Sequence, residues 1–240
     1  MRALSTVFLV LTALLWMTDA RAACRQALAL GLDVSGSVDP TEYRLQVDGL
    51  AGALLRPEVQ AAFLALPDAP VRLYVYEWAG RPSQRPLIPW TEIHSAADLA
   101  NIAATLRATP RIANEPPTAI GQAMLHGASA LSTQSDCWRR TLDLSGDGRS
   151  NTGPRPRDLK SAPQLAGITI NALVIGSAAP GAVDVRQAEA AGLWAYFQVE
   201  VIRGPQAFVE IATSFENFED AMARKLLKEL QTLAVSQLEN

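Results

Sequence analysis

The pentapeptide Asp33-Val34-Ser35-Gly36-Ser37 puts one carboxylate and two hydroxyls within five residues, at the end of the apolar run Leu28 to Val34. All three are hard oxygen ligands, which select Mg²⁺, Mn²⁺ or Ca²⁺ over softer metals. Gly36 lets the backbone turn sharply between the two serines. Taken alone the segment reads as well as a helix cap, because Asp and Ser are the usual capping residues. A second oxygen is that of Thr118, in Pro116-Pro117-Thr118-Ala119-Ile120-Gly121, where the plain reading is a cap for a helix starting at Ala119. A third is that of Asp147, in Leu144-Ser145-Gly146-Asp147-Gly148, where Asp-Gly after a strand is by itself a turn signal.

These residues need elements to hold them. Leu28 to Val34, Val71 to Trp78, Arg140 to Leu144 and Ile168 to Ile175 read as strands. The last is a near-continuous apolar run, as burial on both faces requires. Leu87 to Ile93 contains Pro89 and suits an edge strand, and Val199 to Ile202 reads as one more short strand. Helices are expected from Pro40 to about Leu55, Ala96 to Ala108, Ala119 to Leu131 and Val183 to Trp194. Gln206 to Leu233 should carry one or two closing helices. The first helix has Asp39 as its cap, Pro40 at its first position and Glu42 completing a capping box. Alternation of strands and helices predicts an α/β fold, a doubly wound, mostly parallel sheet with helices on both faces. Ligands of such sheets bind beyond the carboxyl ends of the strands, where the strand order reverses. Asp33, Thr118 and Asp147 all fall at that edge.

The order D-x-S-x-S, then Thr, then Asp resembles the von Willebrand factor A domain with its metal-ion-dependent adhesion site. The closest likeness is to exported bacterial A-domain proteins classed as a domain of unknown function. Supporting stretches are Glu77-Trp78-Ala79-Gly80, Pro89-Trp90-Thr91, Gly167-Ile168-Thr169-Ile170-Asn171 and Gly204-Pro205-Gln206-Ala207-Phe208. The resemblance implies a Rossmann-like fold for residues 23–240 and a Mg²⁺ site, with Mn²⁺ or Ca²⁺ as alternatives. Asp33, Ser35, Ser37, Thr118 and Asp147 would be the metal residues. Ser35 and Ser37 would bind directly, Thr118 directly or through water, and the two aspartates mainly through water. It also implies a function by binding rather than catalysis: capture of a carboxylate offered by a partner protein. Two positions depart from the wider family: Gly146 stands where Thr commonly precedes the Asp, and Pro117 where Gly often precedes the Thr.

The 240-residue chain carries a net charge of -3, with no basic patch of the kind nucleic acid requires. Residues 1–22 read as a secretory signal: a positive start at Arg2, an apolar run from Val7 to Met17, and Ala20-Arg21-Ala22 as the cleavage site. The chain is therefore expected in the periplasm or outside the cell, and no later segment is apolar for long enough to span a bilayer. An uncleaved N-terminal anchor and lipid attachment at Cys24 are the alternatives. The two cysteines, Cys24 and Cys137, lie nine and ten residues before Asp33 and Asp147. If the strands leading to those aspartates are neighbours, as in the A-domain fold, the cysteines come within disulfide reach; the alternative is two inert thiols.

Other chemistries find little support. No Cys or His spacing matches a zinc site, and neither a G-x-S-x-G elbow nor a phosphate-binding loop is present. A metal-dependent phosphohydrolase with Asp33 as nucleophile is the enzymatic alternative, although Ser35 stands where a second acidic residue is usual. A structural A-domain with a vestigial site is the other alternative. Tyr74, Tyr76, Trp78 and Trp90 read as packing residues, Asn171 as a buried satisfier of backbone groups, and Arg139-Arg140 and Arg224-Lys225 as solvated ends of elements.

Overall fold

The computed structural model describes residues 24–112, 117–176 and 183–236. Residues 1–22, read as a signal, lie outside the described residues. In chain order the elements are β1 (Gln26–Asp33), α1 (Pro40–Leu55), α2 (Pro57–Phe63), β2 (Val71–Trp78), β3 (Gln84–Ile93), α3 (Ala96–Ala108), α4 (Ile120–Ser132), β4 (Arg139–Gly146), α5 (Pro156–Leu159), β5 (Ile168–Ile175), α6 (Val183–Tyr196), β6 (Val209–Ala212) and α7 (Phe218–Ser236). They build a six-stranded sheet in the order β3-β2-β1-β4-β5-β6. All pairings are parallel except β2 with the edge strand β3. The doubly wound α/β fold is thus the one expected.

Period-two patterning assigns the two faces. Leu28, Leu30 and Leu32 of β1, with Leu73, Val75 and Leu173, pack under α1, α3 and α7. Ala27, Ala29, Tyr76, Leu142 and Ile170 point the other way, toward α4. β1 is buried along its whole length, which is why its sequence shows no polar alternation. Tyr74 and Trp90 stack at 5.2 Å and Trp78 is fully buried, so the aromatic residues serve packing. The Cys24–Cys137 disulfide ties the amino ends of β1 and β4, with Trp138 N–H donating to the Cys24 carbonyl at 2.9 Å.

Several expectations are corrected. Val199 to Ile202 is not a strand: α6 runs on into a π-helical turn, Phe197–Val201. Phe197 and Val201, four apart, are fully buried while Val199 is 66 % exposed, so the apolar spacing there is helical. The sixth strand instead lies at Val209–Ala212, inside the segment expected to be helical; Val209 and Ile211 supply its β-branched residues. α2, started by Pro57 at its first turn, was not anticipated.

Lys225 is no solvated end. It is fully buried between Asp143 Oδ1 at 2.9 Å and Glu229 Oε1 at 2.7 Å. Its position on α7 faces the sheet, and an ammonium there persists only because two carboxylates meet it. Burial pushes the Asp143 carboxyl up to about 7, against the pull of Lys225. Asn171 does satisfy backbone, accepting from Phe208 N–H at 3.1 Å, but it also donates to Glu229 at 2.7 Å.

Candidate metal centre

The strand order reverses between β1 and β4: the chain builds outward from β1 through β2 to β3, then returns to β4 on its other side. Asp33 ends β1, and Asp147 follows the last residue of β4. Both aspartates therefore sit at the switch point, where neighbouring strands diverge and leave a crevice.

Each side chain is held by an identifiable contact. Val34 N–H donates to the Trp78 carbonyl at 2.9 Å, carrying the β1–β2 ladder one residue past Asp33. Gln46, fully buried on α1, donates to the Asp33 carbonyl at 2.8 Å. Asp33 Oδ1 accepts from Ser35 N–H at 2.9 Å, the short local loop that Asp favours after a strand. The turn closes when Val38 N–H reaches the Ser35 carbonyl at 3.0 Å. Ser35 is left buried and Ser37 exposed, their hydroxyls 3.3 Å apart.

Thr118 is brought in from a separate loop. Ala119 N–H donates to the Ala79 carbonyl at 3.0 Å, which ties that loop to the end of β2. Thr118 and Asn151 exchange bonds: Thr118 N–H donates to Asn151 Oδ1 and Asn151 N–H to the Thr118 carbonyl, both at 2.9 Å. The expected cap is not there, since Ala119 occupies the cap position of α4. The Thr118 hydroxyl instead donates to Ser35 Oγ at 3.2 Å. Ser37 Oγ donates to Asp147 Oδ1 at 2.7 Å. All five residues expected at the site are therefore joined in one chain of short contacts from Thr118 to Asp147.

Gln46 and Asn151 were missed by sequence reasoning. A glutamine inside an amphipathic helix and an asparagine in a polar loop carry no local signal of what they will hold. Gly146, noted as a departure, has a spatial reason: a Cβ there would stand 3.3 Å from both Asp33 Oδ2 and the Phe197 ring. Gly121 is needed for a closer approach, because its Cβ would fall 2.0 Å from the Pro154 carbonyl oxygen.

The electrostatics of the site call for positive charge. Asp33 Oδ2 is buried without a hydrogen-bond partner. Burial, and then the nearby charge of Asp147, push the Asp33 carboxyl up to about 8. Asp147 is also raised, chiefly by burial. An orphaned buried carboxylate oxygen beside a second carboxylate and three hydroxyls is a donor set that suits a hard divalent cation. Among the described residues no group of three or more His, Cys, Asp and Glu side chains is gathered for a metal; the set here is two carboxylates with three hydroxyls.

Comparison with known proteins bears on the fold that carries this geometry. Residues 23–234 match the family described as Protein of unknown function (DUF1194). A search of curated proteins finds no match. Among solved structures, proximal thread matrix protein 1 from the mussel byssus aligns with a TM-score of 0.55 at 17% identity, over 87% of this chain and 48% of that one. This chain thus spans about half the length of the mussel protein, another form of which has a zinc-occupied MIDAS motif. The pilus adhesin SpaC from Lactobacillus rhamnosus GG aligns at 0.58 with 13% identity, over 86% of this chain and 31% of that one. Manganese-loaded TRAP protein of Plasmodium vivax aligns at 0.51 with 17% identity, over 87% and 74%. At such identities the likeness concerns the fold.

Proposed function

The chain belongs to the DUF1194 family and has the fold of a von Willebrand factor A domain, and from that premise we propose that it is an exported, metal-dependent protein-binding module. Asp33, Ser35, Ser37, Thr118 and Asp147 would hold a divalent cation, Mg²⁺ first and Mn²⁺ or Ca²⁺ as alternatives. When bound, the cation supplies a Lewis-acid position for a carboxylate of a partner protein. The observation that carries this reading is Asp33 Oδ2, a buried carboxylate oxygen with no hydrogen-bond partner, in a residue whose neighbours Ser35, Ser37, Thr118 and Asp147 are joined by short contacts.

The residues divide the work by exposure. Asp33 and Ser35 are fully buried and fix the floor; Ser37 is exposed and Asp147 partly so, which opens the site to solvent on one side only. With both aspartates acting mainly through water, a dication would have no direct carboxylate bond from the protein and would attract an acidic group of a partner. That is a device for recognition. The phosphohydrolase alternative gains nothing from the geometry, because Asp33, its nucleophile, has no exposed surface to offer a phosphoester.

Export is part of the proposal and is supported by the Cys24–Cys137 disulfide, a bond that persists in oxidising compartments. Among the described residues no helix is long and apolar enough to cross a membrane. Calorimetric titration of Mg²⁺ and Mn²⁺ into the protein, wild type against Asp33→Ala, tests the site: heat should be released by the wild type and lost in the variant. Equal behaviour of the two refutes the reading. A pull-down of exported proteins with and without chelator then tests the partner.

A further inference from the structure

At the opposite edge of the sheet from the metal centre, a cavity of about 200 Å³ opens between the amino ends of β1, β4 and β5 and the helix α7. Gln26, Arg139, Thr169, Gln206, Phe208 and Glu229 line it. Two stretches singled out in the sequence meet here, residues 167–171 through Thr169 and Asn171, and residues 204–208 through Gln206 and Phe208. The metal centre uses neither.

Three features set this cavity apart from a packing defect. First, its wall contains buried polar atoms without partners. Gln26 and Glu229 are 0% and 2% exposed, yet Gln26 Oε1 and Glu229 Oε2 have no hydrogen-bond partner. Such groups normally find one. Second, the wall is backed by an ion cluster: Asp143 and Glu229 share the Lys225 ammonium. Burial, more than its neighbours, holds the Asp143 carboxyl above its ordinary range, and Arg139 on the lining feels the charge of Glu229.

Third, the lining includes a strained residue. Ala207 N–H reaches back to the Gly204 carbonyl at 3.3 Å, closing a turn with Pro205 first and Gln206 second of its central pair. Gln206 has φ 59° and is the one non-glycine residue with positive φ among the described residues. Glycine is the residue that position ordinarily takes. A glutamine there is strained, which is explained if its side chain is needed at the cavity.

Cations stand at the mouth. Arg139 is half-buried, and desolvation lowers its pKa. The Lys228 ammonium lies 3.8 Å from the centre of the Phe208 ring. The cavity therefore wants a hydrogen-bond donor, preferably cationic, at its depth and an anion at its rim. It is smaller than the roughly 300–1,000 Å³ typical of drug-sized ligands.

We propose that this cavity binds a small zwitterion, a free α-amino acid, with its ammonium directed at Glu229 and Gln26 and its carboxylate at Arg139 and Lys228. The site is independent of the metal centre, being carried by different residues at the other end of the strands.

Isothermal titration of the purified protein with the common L-amino acids one by one, at up to millimolar concentration, tests it. Propionate and propylamine serve as half-ligands. At least one amino acid should bind, and neither half-ligand should match it. Arg139→Gln should weaken that binding on the order of tenfold, the loss expected for one charge-assisted hydrogen bond. Thr169→Phe, which fills the cavity, should abolish it, while Asp33→Ala should leave it unchanged. Heats absent for every amino acid would overturn the proposal. So would binding of propionate as tight as that of the amino acid, or binding untouched in folded Arg139→Gln and Thr169→Phe proteins.

Discussion

Replacing Lys225 by methionine should be among the most damaging single changes available in this chain. The Lys225 ammonium lies 2.9 Å from Asp143 and 2.7 Å from Glu229, with all three side chains at most 1% exposed. Methionine keeps most of the side-chain volume, so little of the effect comes from a cavity. What it removes is the counter-charge of two buried carboxylates. Breaking a buried ion pair by deleting one partner costs about 3–5 kcal/mol. For a domain of this size, each kcal/mol shifts the melting temperature by roughly 2–4 °C, so Lys225→Met should melt some 6–20 °C lower.

The sign with pH is also fixed. Burial raises the folded-state Asp143 carboxyl to about 7, above its unfolded value. Its contribution to stability is therefore full below the unfolded pKa and is lost as pH rises through the folded one. Without Lys225 the folded value climbs further, so the variant should lose more at about pH 8 than at about pH 5. Urea denaturation of both proteins at the two pH values measures this. The triple variant with Asp143→Asn and Glu229→Gln should recover much of the loss, since no buried charge is then left unpaired. A loss below about 1 kcal/mol, or no recovery in the triple variant, would show that the three charges do not form a buried, mutually dependent set.

Other outcomes follow from single contacts. Reducing Cys24–Cys137, which are 113 residues apart in sequence, should cost about 4–5 kcal/mol in urea melts; an unchanged midpoint contradicts a closed bridge. Gly121→Ala drives a methyl group into the Pro154 carbonyl, 2.0 Å from the ideal Cβ. About 1–3 kcal/mol should be lost to overpacking, and Mg²⁺ heats should weaken too, because the neighbouring loop holds Thr118 through Asn151. Gly146→Thr, by crowding Asp33 Oδ2 and Phe197, should reduce cation affinity while leaving the urea midpoint nearly intact. Finding that this variant binds Mg²⁺ like the wild type would mean that the orphaned oxygen faces no cation.

Most of the skeleton is legible from local chemistry. The capping box of Asp39 and Glu42, the bounds of α3 and β5, the edge position of β3 and the parallel core all follow from local chemistry and apolar period, and all stand in the structure. The five residues proposed for the cation were singled out by an order that resembles the A-domain site, and the structure joins them through short contacts. Where the text failed, the deciding contacts were distant in sequence. Val199 reads as part of a strand until Phe197 and Val201 are seen to anchor a helical turn on the sheet, and Lys225 reads as solvated until α7 lays it over Asp143. Tertiary structure alone also decided that Thr118 leaves its helix uncapped to reach Ser35, and that Gln206 turns toward a cavity. The physical reason is common to these cases: a side chain's local preference is worth about 1 kcal/mol or less, whereas burial and charge pairing across the fold act on the same residue with several times that energy.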